Sequence, residues 1–235
     1  MSVPRLPVIV IRPEPGGAAT VAAAGRQGLD ARGFPLFEIV PLDWHPVPRE
    51  EVDAILIGSA NAMRQAGPAL ADYRGLPAYA VGETTAAAAR QAGLDVVRVA
   101  RGGLQSVMAQ LDPGHRKLLR LAGRERVDLA LPAPCTMATR EVYASEALPM
   151  PAELARLLQD PALVLLHSGE AAAHFASECR RLSLPRTQIA LAIIGPRLIA
   201  RTGEGWAAVR CAAAANDAAL LALAEEMCQG FPSGS

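Results

Sequence analysis

The chain has 235 residues, of which 51% are hydrophobic but only 4% aromatic, and its 23 basic and 23 acidic residues cancel to a formal net charge of zero. That length allows one large domain or two small ones, with a core built from Ala, Leu and Val. Balanced charge without a basic run excludes the usual profile of a nucleic-acid binder, and no stretch approaches the roughly 18 apolar residues of a membrane helix.

The first element is VIVIRPEPGG (8–17), four apolar β-formers that run into Arg12 and a Pro/Gly turn. It reads as a buried parallel strand emptying into a loop, although the loop lacks both the dinucleotide glycine spacing and the P-loop lysine. FEIVPLDWHPVP (37–48) is extended, because Pro41, Pro46 and Pro48 exclude a helix. AILIGSANAM (54–63), AYAVGETTAAAA (78–89) and KLLRLAGRERVD (117–128) then repeat the opening layout of strand, small or polar turn, and helical spacing. TREVYASEALP (139–149) breaks the rhythm as a second extended segment. LVLLHSGEAAA (163–173) and ALAIIGPRLIA (190–200) resume it, and WAAVRCAA (206–213) leads through Asn216 and Asp217 into a last helix.

Strands alternating with helices at this pace predict an α/β fold with parallel sheets. The two extended segments fall where one group of units gives way to another. They divide the chain into a discontinuous first domain (1–36 and 149–235), an inserted second domain (45–140) and two connector strands (37–44 and 141–148). The alternative is a single seven-strand sheet with two long loops. In open parallel sheets, ligands bind beyond the carboxyl ends of the strands, where helix N-termini offer free N–H groups. Several such turns would suit an anion with many negative groups, and small residues that merely permit tight turns are the plainer account of any one of them.

The common catalytic kits are missing. His45, His115, His167 and His174 include no pair with metal-ligand spacing, and no nucleophile elbow is present. Ser59 and Ser168 each follow a strand and read as helix caps. Cys135, Cys179, Cys211 and Cys228 form no C-x-x-C and read as free thiols of a reduced cytoplasm, in keeping with an N-terminus that has no signal-peptide shape. Tyr143 is the exception, one of three tyrosines and placed in a predicted connector. Its phenol can donate a hydrogen bond to a departing hydroxyl, or it is an ordinary β-former packed on a neighbour.

Taken together, IRPEPGG (11–17), PLFEIVPL (35–42), ILIGSANAM (55–63), YAVGETTAAAA (79–89), LLRLAGRERVDLA (118–130), EVYASEALP (141–149), LLHSGEAAAHF (165–175), AIIGP (192–196) and WAAVRCAAAANDAALLAL (206–223) resemble the uroporphyrinogen-III synthase family, in the family's order and across nearly the whole chain. The resemblance implies two α/β domains joined by a two-stranded connector. It implies a monomeric, cofactor-independent lyase that cyclises hydroxymethylbilane with inversion of ring D, and neither nucleic acid nor membrane as a partner. It makes Tyr143 the proton donor. It places Arg12, Ser59, Ala60, Gly82, Thr85, Gly123, Arg124, Ser168, Gly169, Gly195 and Pro196 in turns that hold the substrate's carboxylates. Two departures accompany it. Arg197 and Leu198 stand where relatives often carry threonines, and the proline-rich stretch 129–143 predicts a truncated helix in the second domain. A non-enzymatic two-lobed protein binding a small carboxylated ligand is the alternative function, and a nucleotide-dependent enzyme lacks its glycine fingerprint.

Overall fold

The computed structural model describes residues 6–230. These divide into two compact units, one made of the described residues up to Glu38 and from Ala147 onward, the other spanning Ile39–Glu146.

The first unit opens with β1 (Val8–Val10), α1 (Gly16–Arg26) and β2 (Ala31–Gly33). Strand β3 (Phe37–Pro41) carries the chain into the second unit. There follow β4 (Ala54–Ile57), α2 (Ala60–Gln65), β5 (Pro77–Val81), α3 (Glu83–Gln91), β6 (Asp95–Ala100), α4 (Gln105–Met108), β7 (Lys117–Gly123) and the long β8 (Thr136–Ala147). The first unit is then completed by α5 (Ala152–Leu157), β9 (Ala162–Leu166), α6 (Gly169–Arg181), β10 (Ile189–Ile193), α7 (Ile199–Thr202), β11 (Ala208–Cys211) and α8 (Asp217–Gly230). The two chain crossings, Glu38/Ile39 and Glu146/Ala147, fall inside β3 and β8.

Two sheets form rather than one. The first unit has the strand order β11-β10-β9-β1-β2 and the second β3-β8-β7-β4-β5-β6. Every pair within the first sheet is parallel, as are the pairs from β8 through β6 in the second. The single seven-strand sheet is therefore overturned. Its strand count omitted β2 and β6, two edge strands whose charged residues (Arg32, Asp95 and Arg98) hide the apolar signal that central strands show.

Both faces of each sheet are covered, which explains the unbroken apolar runs. In the first unit Ile9, Val164, Leu191 and Ile193 face α5 and α6, with Phe175 at the centre of that layer. Val8, Val10, Leu163 and Leu165 face the opposite way, against Leu220, Leu221 and Ala224 of α8. In the second unit Ile55, Ile57, Leu119 and Leu121 pack on Met63 and Tyr73. Ala54, Leu56 and Leu118 face Tyr79, Leu104 and Val107. This strand-by-strand alternation follows from the two-residue period of β-structure.

No helix forms between β7 and β8. The parallel crossover over 124–135 is irregular, so the truncated helix expected there is absent altogether. Pro132 and Pro134 cannot donate helical hydrogen bonds. Gln105 instead pins the segment, its side chain accepting from Ala130 N (2.9 Å) and donating to Ala130 O (3.1 Å).

Candidate functional site

Parallel strands bring their carboxyl ends to one edge of a sheet, and most of the residues singled out above sit on such an edge. In the first unit Arg12 follows β1, Ser168 and Gly169 follow β9, and Gly195 and Pro196 follow β10. In the second unit Ser59 and Ala60 follow β4, Gly82 and Thr85 follow β5, and Gly123 and Arg124 close β7.

Several of these residues have local duties. Ser59 Oγ accepts from Asn61 N (3.2 Å) and Ser168 Oγ from Ala171 N (3.1 Å), so both serines are helix N-caps. Ala60 and Gly169 are the first residues of α2 and α6. Gly82 has φ +76 at the N-terminus of α3, a backbone conformation that a side chain would strain. Thr85 is buried in the first turn of α3. Gly195 borders open space, and of the two residues after Pro196, Arg197 is exposed while Leu198 packs on the core beneath α6.

Tyr143 is seated by Gly123. The two are register partners at the end of the β7–β8 ladder, where a bulge skips Val142. That bulge turns the tyrosine onto the Gly123 backbone. A Cβ built on Gly123 would lie 2.7 Å from Tyr143 Cζ and 3.0 Å from its hydroxyl oxygen, so only glycine leaves room for the ring. Arg124 N donates to Tyr143 O (2.9 Å), fixing the backbone on the far side of the turn. Two positions earlier, Glu141 accepts from Arg126 Nη1 (2.6 Å) and lies 3.9 Å from Arg124 Nε. Arg126 also donates to Arg124 O (2.9 Å), which ties the turn after β7 to β8.

The comparisons with known proteins come down on one family. The family model for uroporphyrinogen-III synthase HemD matches residues 18–222, most of the chain. The chain belongs to the uroporphyrinogen-III synthase family. Solved structures of that family carry the same fold. Uroporphyrinogen-III synthetase from Helicobacter pylori is 16% identical, with a TM-score of 0.62 over 95% of this chain and 100% of that one. A mutant uroporphyrinogen III synthase from the extremely thermophilic bacterium Thermus thermophilus is 17% identical, with a TM-score of 0.50 over 96% of this chain and 100% of that one. No curated protein sequence matches the chain. The family match does not favour the alternative of a non-enzymatic binding protein.

Within this family member, Arg12 is held in a polar cluster that its sequence neighbours do not reveal. Its Nη1 lies 2.7 Å from Asp217 Oδ2 and donates to Thr20 Oγ1 (3.2 Å), and Thr20 Oγ1 donates to Asp217 (3.0 Å). His167 Nε2 stands 3.5 Å from Asp217 Oδ1, an ion-pair distance, and both ring nitrogens are buried without a hydrogen-bond partner. The polar contact from His167, long at 3.5 Å and outside good hydrogen-bond geometry, then Arg12 and Thr20, hold the Asp217 carboxyl at about 2, against the upward push of burial. Asp217 comes from the N-terminus of α8, some two hundred positions from Arg12, so no local pattern announces the pair.

Among the described residues no group of three or more His, Cys, Asp and Glu is placed to hold a metal ion, and no helix is long and apolar enough to cross a membrane. An open hollow of about 420 Å³, lined by Val47, Glu51, Lys117 and Thr136, lies at the opposite edge of the second sheet, by the amino ends of β7 and β8.

Proposed function

We propose that this protein converts hydroxymethylbilane into uroporphyrinogen III, with Tyr143 as the proton donor. The match of residues 18–222 to the uroporphyrinogen-III synthase model carries the reading. Loss of the bilane hydroxyl breaks a C–O bond, and the departing oxygen takes a proton and leaves as water. The azafulvene that results closes spontaneously to the symmetrical isomer I. Isomer III requires the substituted carbon of ring D to attack instead, through a spiro intermediate that inverts the ring.

The protein's work is therefore to orient a flexible, multiply charged chain and to supply one proton. The strand-end turns suit the first task. Helix N-termini at Ser59, Gly82 and Ser168 present backbone N–H groups to carboxylates, without a basic patch that would attract other polyanions. Arg12 is the weaker member of the proposed binding set, because Asp217 and Thr20 occupy one of its guanidinium nitrogens. Tyr143 suits the second task. Its ring is half-buried against Gly123, which narrows the positions the phenol can take before the substrate arrives.

The test is incubation of the purified protein with freshly prepared hydroxymethylbilane, followed by oxidation and separation of the uroporphyrin isomers. Isomer III in excess of the spontaneous background is the expected result, and isomer I alone would remove the reading.

A further inference from the structure

The unexplained group in the second unit is Arg120. It stands in the middle of β7, in a strand otherwise apolar from Leu118 to Gly123, and only 6% of it is exposed. The two-residue alternation puts it on the face of the sheet shared by Leu56 and Leu118, its register neighbours being Leu56 on β4 and Thr139 on β8. Its Nε is buried without a hydrogen-bond partner. No ion pair reaches it among the described residues. Arg126 and Asp128, from the irregular crossover, are the charges that bear on it, and burial and Arg126 both push its guanidinium down. Arg126 is itself committed to Glu141, and Asp128 lies on an exposed stretch of chain. A cation this buried ordinarily carries an acceptor for its N–H groups, and a carboxylate is the acceptor that also returns the lost hydration of its charge.

We propose that Arg120 is a carboxylate anchor, a specificity-determining residue that binds one side-chain carboxylate of the tetrapyrrole. This rests on the function proposed above for its substrate class, though not for the anion chemistry. Arg120 lies three residues before Gly123 on β7, on the opposite face of the sheet from Tyr143, beneath the crossover residues Leu129, Leu131 and Cys135 that pack on its face. An arginine recessed among apolar residues binds a carboxylate through a charge-assisted pair in a low-dielectric setting. The same arginine in the empty protein is a source of strain, so binding and stability pull in opposite directions here.

That opposition supplies the experiment. Arg120→Met keeps the apolar stem and removes the charge. KM for hydroxymethylbilane is expected to rise about tenfold with kcat within twofold, the loss of one hydrogen-bonded charge contact. The thermal midpoint of the ligand-free variant should stay level or rise, while the stabilisation that added uroporphyrin III gives the wild type should shrink. Arg120→Lys should recover part of the KM. An unchanged KM with a lowered ligand-free midpoint would overturn the anchor and make Arg120 a structural partner of the crossover. An unchanged KM and midpoint would overturn it as well. If the wild type makes no isomer III yet binds uroporphyrin III through Arg120, the reaction reading falls and the anchor stands.

Discussion

At the scale of single residues, Tyr143 and Gly123 form one device. Tyr143→Phe removes the hydroxyl and keeps the ring that packs beneath it, so the fold should survive. Isomer III formation should slow by about 10²-fold, the lower range for a general acid, read by the isomer assay with circular dichroism as the check on folding. Gly123→Ala tests the seat. Its new Cβ would meet the tyrosine ring at 2.7 Å, and the ring must swing away. Turnover should fall about tenfold in the wild-type background and hardly further once Tyr143 is already Phe, if the seat works through the proposed phenol donor. Equal losses in both backgrounds would show that Gly123 has a separate role.

At the scale of elements, α6 is held at both ends. Ser168 caps its start, and near its end the almost buried Glu178 accepts from Arg181 (2.7 and 2.8 Å) and from Met150 N (2.7 Å). Between them Ala171, Ala172, Phe175, Ala176 and Cys179 recur at helical spacing and bury the inner face. Ser168→Ala should cost about 1 kcal/mol of stability, measured by urea denaturation, by orphaning the N–H of Ala171. Phe175→Ala should cost about 3–5 kcal/mol in the same measurement, since the ring fills the layer between α6 and the sheet and stacks on Trp206.

At the scale of the whole molecule, the strongly depressed carboxylates fall in the first unit, which predicts different acid responses for the two units. The Arg181 guanidinium, seconded by Met150 N, holds Glu178 at about 2 against burial, below the ordinary value of 4.5. A depressed carboxylate contributes its stability above its ordinary value and loses it as the pH falls toward 2. Asp217, also held at about 2, adds about 1 kcal/mol once solvent screening is allowed for, since 42% of its side chain is exposed. Both lie in the first unit. In the second, Asp53 is lowered by the backbone N–H groups of Lys117 and Arg116. The chain's two tryptophans report on the units separately: Trp206, over Phe175, is in the first and Trp44, against Tyr73, in the second. In the single-tryptophan variants Trp44→Phe and Trp206→Phe, acid titration from about pH 5 to about pH 2 should therefore change the emission of Trp206 before that of Trp44.

The sequence by itself determined the α/β class, the central strands and the helix caps, because these depend on local patterns. Four-residue apolar runs such as AILI can only be buried on both faces, and Ser168 ahead of an amphipathic segment can only cap it. The edge strands β2 and β6 were hidden for the complementary reason, that half-exposed strands admit charge. What the tertiary structure alone decided was pairing across distance. It showed that Arg12 answers to Asp217, that Gly123 is small for the sake of Tyr143, and that Arg120 is buried without an anion. An arginine in KLLRLAG reads in sequence as a stray charge on a strand. Only once its neighbours are folded around it does the missing partner become a physical cost, and so a pointer to a ligand.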